Sequence, residues 1–134
     1  MKKVLVFGTF DGLHEGHLNF FKQAKEFGDY LVVVVGRDST ILKTKGRPPK
    51  FGEHERLKAV QECGLVDAAR FGNENMSPYV VVKEVSPDVI CLGYDQTHFT
   101  DKLDGWIKEN GLHIEIHRLE AYKPEIFKSS KLNA

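Results

Sequence analysis

Residues 8–17 read GTFDGLHEGH, from Gly8 to His17, and stand between two different hydrophobic patterns. Before them, KVLVF at 3–7 is a β-branched and aromatic run that predicts a buried strand ended by Gly8. After them, Leu18, Phe21 and Ala24 follow helical spacing from Gly16, with Gly28 as the stop. A strand therefore passes into a helix through a glycine-rich turn that carries two imidazoles, His14 and His17.

The rest of the chain repeats the alternation. YLVVVV at 30–35 is a continuous apolar run, as expected of a parallel strand covered on both faces. Residues 42–51, LKTKGRPPKF, crowd Lys43, Lys45, Arg47 and Lys50 around a glycine and two prolines, and predict a basic loop rather than an element. Glu53–Cys63 returns to helical spacing, and AARF is a short strand candidate. The valines of PYVVVKEV favour strand by composition, but Ser77-Pro78 has the form of an N-cap followed by proline at the first helical position, so a helix is expected. A strand at 88–93, a helix at 101–110 and a strand at 113–119 complete the order. Five strands alternating with helices predict one α/β domain over residues 1–134. It is Rossmann-like, a five-stranded parallel sheet with helices on both faces. Ligands of such sheets bind beyond the carboxyl ends of the strands, where the His loop falls.

Composition narrows the function. With 19 Lys+Arg against 19 Asp+Glu in 134 residues, no overall field favours nucleic acid. The apolar run VLVF is too short for a signal peptide or a membrane span, which points to a cytoplasmic protein without a membrane partner. Cys63 and Cys91 lack metal-site spacing and read as two buried, reduced thiols.

Three readings of the His loop compete. Zinc needs three or four protein ligands, and His14 and His17 supply two, so no metal site is assigned. A turn that merely contains histidine has similar weight. A phosphate site suits the loop better. Gly8 would let a nucleotide approach the backbone, and the helix from Gly16 would offer free N–H groups and its positive dipole end. Two imidazoles there would donate hydrogen bonds to a phosphoryl oxygen whose charge grows in the transition state. The chemistry would be direct phosphoryl or nucleotidyl transfer.

GTFDGLHEGH closely resembles the first signature of the HxGH nucleotidyltransferases, the family of cytidylyltransferases and small adenylyltransferases. RDSTILKTKG, EHERLKAV, SPDVICLGYDQ and PEIFKSSKL resemble its later segments, so the likeness spans nearly the whole chain. It implies that His14, His17 and Lys45 are catalytic. It implies nucleotide contacts from Thr9, Phe10, Glu15, Gly16, Asp95, Tyr122, Ser129 and Ser130 as well as the histidines. Asp11, Arg56 and Lys128 would support them. It further implies a divalent cation, Mg²⁺, held mainly by the nucleotide phosphates, and a homodimer to which the helix around Tyr79–Val82 contributes. VVVVGRDST, ICLGYDQ and LEAYKPEIFKSSK look most like the archaeal FAD synthases, which move AMP from ATP onto FMN. The alternatives are CTP with glycerol 3-phosphate, ATP with heptose phosphate, and a nucleotide-binding regulatory protein that has lost turnover.

Overall fold

A computed structural model describes residues 1–72, 78–93 and 100–120. The strands are β1 (Lys3–Gly8), β2 (Tyr30–Val35), β3 (Ala68–Phe71), β4 (Val89–Leu92) and β5 (Glu115–Arg118). The helices are α1 (Glu15–Lys25), α2 (Asp38–Lys45), α3 (Glu53–Gln61), α4 (Pro78–Val85) and α5 (Thr100–Glu109). All strand pairs are parallel, in the order β3-β2-β1-β4-β5. The chain winds outward from β1 in one direction to β3 and in the other to β5. The reversal places the topological switch at the carboxyl end of β1, where the His loop begins.

The strands are apolar on both faces because both faces are covered. Val4 and Val6 of β1, Leu31, Val33 and Val35 of β2, and Cys91 of β4 pack in one core with Phe21 and Ala24 of α1 and Val60 of α3. Leu5, Val32, Val34, Ile90 and Leu92 point the other way, onto Val81, Val82 and Val85 of α4 and Leu103 and Ile107 of α5. Consecutive residues of one strand thus enter opposite cores, so the period-2 signal disappears.

Strand entry is pinned by aspartates. Asp29, Asp67 and Asp88 each sit immediately before a strand, and each accepts a backbone N–H from the neighbouring strand or its lead-in: Lys2 at 3.0 Å, Leu31 at 2.8 Å and Lys3 at 2.8 Å. Among the described residues no helix is long and apolar enough to cross a membrane.

Two expectations are corrected. The basic stretch from residue 42 is not wholly a loop, since α2 runs through Lys45 and ends at Gly46, whose φ of +75° closes the helix with a bond from its N–H to Leu42 O. Two helices therefore join β2 to β3. Cys63 is half-buried rather than buried, while burial pushes the Cys91 thiol up to about 12. In the helix to which a dimer contact was assigned, Val81 and Val82 are buried in the chain's own core, Tyr79 stacks on Trp106 at 4.7 Å and Val80 is exposed. Ser77, the expected cap of α4, lies outside the described residues.

Arg56 on α3 is the one buried charged residue among those described, with 1% exposure. Its Nε donates to Phe51 O at 2.8 Å, and its Nη1 to Thr9 O at 3.0 Å and Gly36 O at 2.7 Å. Nη2 donates to Asp38 Oδ1 at 2.7 Å. One guanidinium therefore joins the exits of β1 and β2 to the start of α2 and the approach to α3. Arg56→Met leaves Asp38 and three carbonyls without their donor. It should lower unfolding free energy by about 3–5 kcal/mol in chemical denaturation. A loss under about 1 kcal/mol would show that water replaces those bonds at little cost.

Candidate active site

The turn after β1 is shaped around Phe10. Its backbone is left-handed, with φ of +52°, an uncommon state for a residue with a side chain. The ring is buried and holds the backbone there, 5.2 Å from Phe21 and edge-on to His17 at 5.4 Å between centroids. It also lies over Gly8, where an added Cβ would sit 2.5 Å from Phe10 Cζ. Gly8 is therefore required by Phe10. Phe10 offers a ligand its backbone and not its ring. Thr9 lines a cleft beside the turn, and its carbonyl is taken by Arg56.

His14 is the N-cap of α1, and the two histidines cap the helix reciprocally. Gly16 N donates to His14 Nδ1 at 3.0 Å, and His14 N donates to His17 Nδ1 at 3.3 Å. This is the pattern of a capping box with imidazoles in place of the usual hydroxyl and carboxylate. The rings stack at 3.9 Å with 24° between their planes. Two consequences follow. Each Nδ1 accepts, so in a neutral ring the proton sits on Nε2. The amides of Gly16 and His17 are already used, the latter by His14 O at 3.0 Å. The expectation of free helix-terminal N–H groups therefore fails at these two positions. Glu15, the first residue of α1, is exposed.

Both imidazoles are held neutral. Burial lowers the His17 pKa to about 4, and His14 beside it adds to the lowering while the Gly12 carbonyl opposes it. Burial also lowers His14.

Asp11 acts across the turn. Its Oδ2 accepts from Lys50 N and its Oδ1 from Phe51 N, both at 2.7 Å. It thereby ties the loop after α2 to the loop after β1. Between them lies a cleft of about 230 Å³, lined by Thr9, Asp11 and Ile41 together with Lys45, Arg47 and Lys50. Lys45 is the last residue of α2 and reaches the cleft from that helix. Arg47 and Lys50 were not singled out from sequence, although their place in the same basic stretch as Lys45 was the available signal. Asp95, Tyr122, Lys128, Ser129 and Ser130 lie outside the described residues. Among the described residues, then, the structure brings Thr9, Asp11 and Lys45 to one cleft, with His14 and His17 further along the same turn and Arg56 beneath it.

Comparison with known proteins agrees with this anatomy. Residues 5–133 match the family model described as cytidylyltransferase-like. The chain is 39% identical over 131 residues to an FAD synthase of Thermococcus sibiricus, covering 97% of this chain and 88% of that protein. It is 41% identical over 133 residues to an FAD synthase of Methanococcoides burtonii, covering 98% and 91%. A solved structure of a lipopolysaccharide core biosynthesis protein from Thermoplasma volcanium superposes with a TM-score of 0.85 at 41% identity, covering 92% of this chain and 99% of that one. A pantothenate synthetase of Thermus thermophilus shares the fold alone, with a TM-score of 0.61 at 19% identity and 89% and 55% covered. The chain belongs to the cytidylyltransferase-like family.

Proposed function

We propose that this protein is a nucleotidyltransferase that moves AMP from ATP to FMN, forming FAD and pyrophosphate. The observation that carries the reading is the locked imidazole pair at the start of α1. Reciprocal capping fixes both neutral imidazoles in orientation at the start of α1, and polar groups fixed before the reaction stabilise developing charge without reorganising. The full-length match to archaeal FAD synthases supplies the acceptor.

In the reaction, an oxygen of the FMN phosphate attacks the α-phosphorus of ATP in line. A new P–O bond forms as the bond to the β-phosphate bridging oxygen breaks, and pyrophosphate leaves with that electron pair. No general base is needed, because a phosphate dianion is already a nucleophile. His14 and His17 donate to the oxygens on the α-phosphorus as their charge grows. Lys45 balances charge between acceptor and donor phosphates. Thr9 and the Phe10 backbone bound the site, and Asp95, Tyr122, Lys128, Ser129 and Ser130 are assigned to the nucleotide.

The family's divalent cation is assigned to Mg²⁺. Among the described residues no three His, Cys, Asp or Glu side chains gather. The cleft's carboxylate, Asp11, already accepts two backbone N–H groups amid three cationic side chains. That donor set does not suit an ion held by protein, and it suits one carried on the triphosphate by phosphate oxygens and water. The description of the Thermoplasma volcanium relative as a lipopolysaccharide core biosynthesis protein favours a second reading, a sugar phosphate as acceptor.

An acceptor panel tests the assignment. ATP with FMN should release pyrophosphate and yield FAD, whereas CTP with glycerol 3-phosphate should not. Release with heptose 1-phosphate but not FMN would establish the second reading, and ATP binding without release for any acceptor would indicate a regulatory protein.

The two duties of His14 are separable by substitution. Asparagine places an acceptor where Nδ1 stood and is itself a favoured N-cap. His14→Asn should keep the melting temperature while kcat falls about 10²–10³-fold, the loss typical of one oxyanion donor. His14→Ala should show the same kcat and also lose about 1 kcal/mol of stability. Near-normal kcat in His14→Asn would reduce the residue to a cap.

Acid should destabilise the protein through His17. An unfolded imidazole takes its proton near 6.5, while folded His17 resists until about 4. The unfolded state thus binds more protons between those values, and stability falls as pH drops from about 6.5 to about 4. His17→Asn should flatten this dependence in pH-resolved denaturation; an unchanged slope would assign it to other groups.

A further inference from the structure

Several large apolar side chains are exposed, among them Leu18, Leu42, Phe51 and Val80, and single exposed residues of this kind are ordinary. Phe51 differs from the others in how it is held. Its N–H donates to Asp11 Oδ1 at 2.7 Å, and its carbonyl accepts from the buried Arg56 Nε at 2.8 Å. The amide before it, that of Lys50, donates to the other Asp11 oxygen at 2.7 Å. Both backbone groups of the residue and the one ahead are thus fixed by side chains from elsewhere in the fold, while the ring stays 40% exposed.

The ring is also placed where a ligand would meet it. It packs over Gly12, where an added Cβ would lie 3.2 Å from Phe51 Cε2, and Gly12 itself has φ of +91°. Gly12 belongs to the turn that leads to His14, and its carbonyl acts on the His17 ring. On its other side Phe51 adjoins Lys50, which lines the cationic cleft with Lys45 and Arg47. A fixed aromatic face therefore borders a pocket for a phosphate.

We propose that Phe51 is the stacking platform for the isoalloxazine ring of the acceptor and a specificity-determining residue for it. The inference rests on the FMN reading above. The match is one of chemistry. An acceptor with a phosphate dianion at one end and a flat conjugated ring at the other fills both halves of the surface. A sugar phosphate fills only the cationic half and leaves the aromatic face wet. The cleft of about 230 Å³ is smaller than the pockets of about 300–1,000 Å³ that enclose whole ligands of this size. The proposal places the flavin ring outside it, against Phe51, whose N–H is held by the cleft residue Asp11. Aromatic stacking is a sequence-tolerant contact that needs a rigid partner, and the three backbone bonds supply the rigidity without using the ring.

Steady-state kinetics with the full chain tests this. Phe51→Ala should raise KM for FMN about five- to tenfold while KM for ATP holds, the scale of a lost aromatic pair. Phe51→Trp should restore KM for FMN. Flavin fluorescence read in the presence of a non-hydrolysable ATP analogue should be quenched by the wild type and Phe51→Trp but not by Phe51→Ala. Circular dichroism melts of each variant report whether the clamp has survived. An FMN KM unchanged in Phe51→Ala, with FAD still made, would overturn the stacking role and leave the FMN reading intact. Absence of FAD formation by the wild type would overturn both.

Discussion

The exits of the first two strands are held together by one buried cation. A parallel sheet leaves its carboxyl-end carbonyls pointing into the loops, where they must find donors or water. Arg56 meets this need for Thr9 and Gly36 at once, and its fork has directions enough to reach Asp38 and Phe51 as well. Lysine presents its charge as a point and lacks the planar geometry to serve four acceptors. The carboxylate of Asp38 completes the pair, so burial of the guanidinium does not leave a lone charge in the interior. Because its acceptors belong to the loop after β1, the loop after β2 and the loop before α3, Arg56 sets the distance between the histidine turn and the cationic stretch. Its influence on any ligand is therefore exerted through position.

The histidine pair shows a second economy. An N-cap must accept hydrogen bonds, and a phosphate-binding group must donate them. Imidazole does both in one ring when neutral, and the two ring nitrogens divide the work. Serine or aspartate would cap α1 as well or better, but neither brings a ring whose two nitrogens can divide accepting and donating. Protonation would spoil the cap by removing the Nδ1 acceptor, so burial, which holds His17 at about 4, protects the structural half of the arrangement. Phe10 supplies that burial from within the same turn, at the cost of a left-handed backbone and a glycine at position 8.

Much of this was legible because it is local. The apolar runs at β1 and β2, the helical spacing after Gly16 and the alternation along the chain follow from neighbours in sequence, and five parallel strands resulted. What escaped was set by distant partners. The helix α2 buries only Ile41 and has no side-chain cap of its own; Glu53, 15 residues on, accepts the N–H of Asp38 at 2.9 Å. Nothing between 37 and 46 announces that bond. The packing need at Gly8 escaped for the same reason, since the ring that excludes a side chain there belongs to Phe10, folded back by an unusual φ. Arg56 read as a residue supporting the site, and only its burial shows it to be a hub. The aspartates ahead of β2, β3 and β4 did leave a trace, in GDY, VDA and PDV, each placing the acid directly before an apolar run.

Those aspartates bear on how a protein without net charge builds an anion site. Asp29, Asp67 and Asp88 gather at the amino ends of the strands, where they accept backbone N–H groups. Lys45, Arg47 and Lys50 gather in loops at the carboxyl ends, around the cleft. The 19 basic and 19 acidic residues cancel over the chain, yet the cleft gathers three cations beside one carboxylate. At physiological ionic strength a charge is screened beyond about 8 Å, so the acidic end is not felt at the cleft. A phosphate arriving there meets three cations and one carboxylate whose oxygens already accept backbone bonds. Local clustering of this kind gives attraction at one cleft without the general affinity for polyanions that a basic protein carries. What discriminates among phosphorylated acceptors must then come from surfaces other than charge, and the aromatic rim at Phe51 is the surface that the turn, Asp11 and Arg56 jointly hold in place.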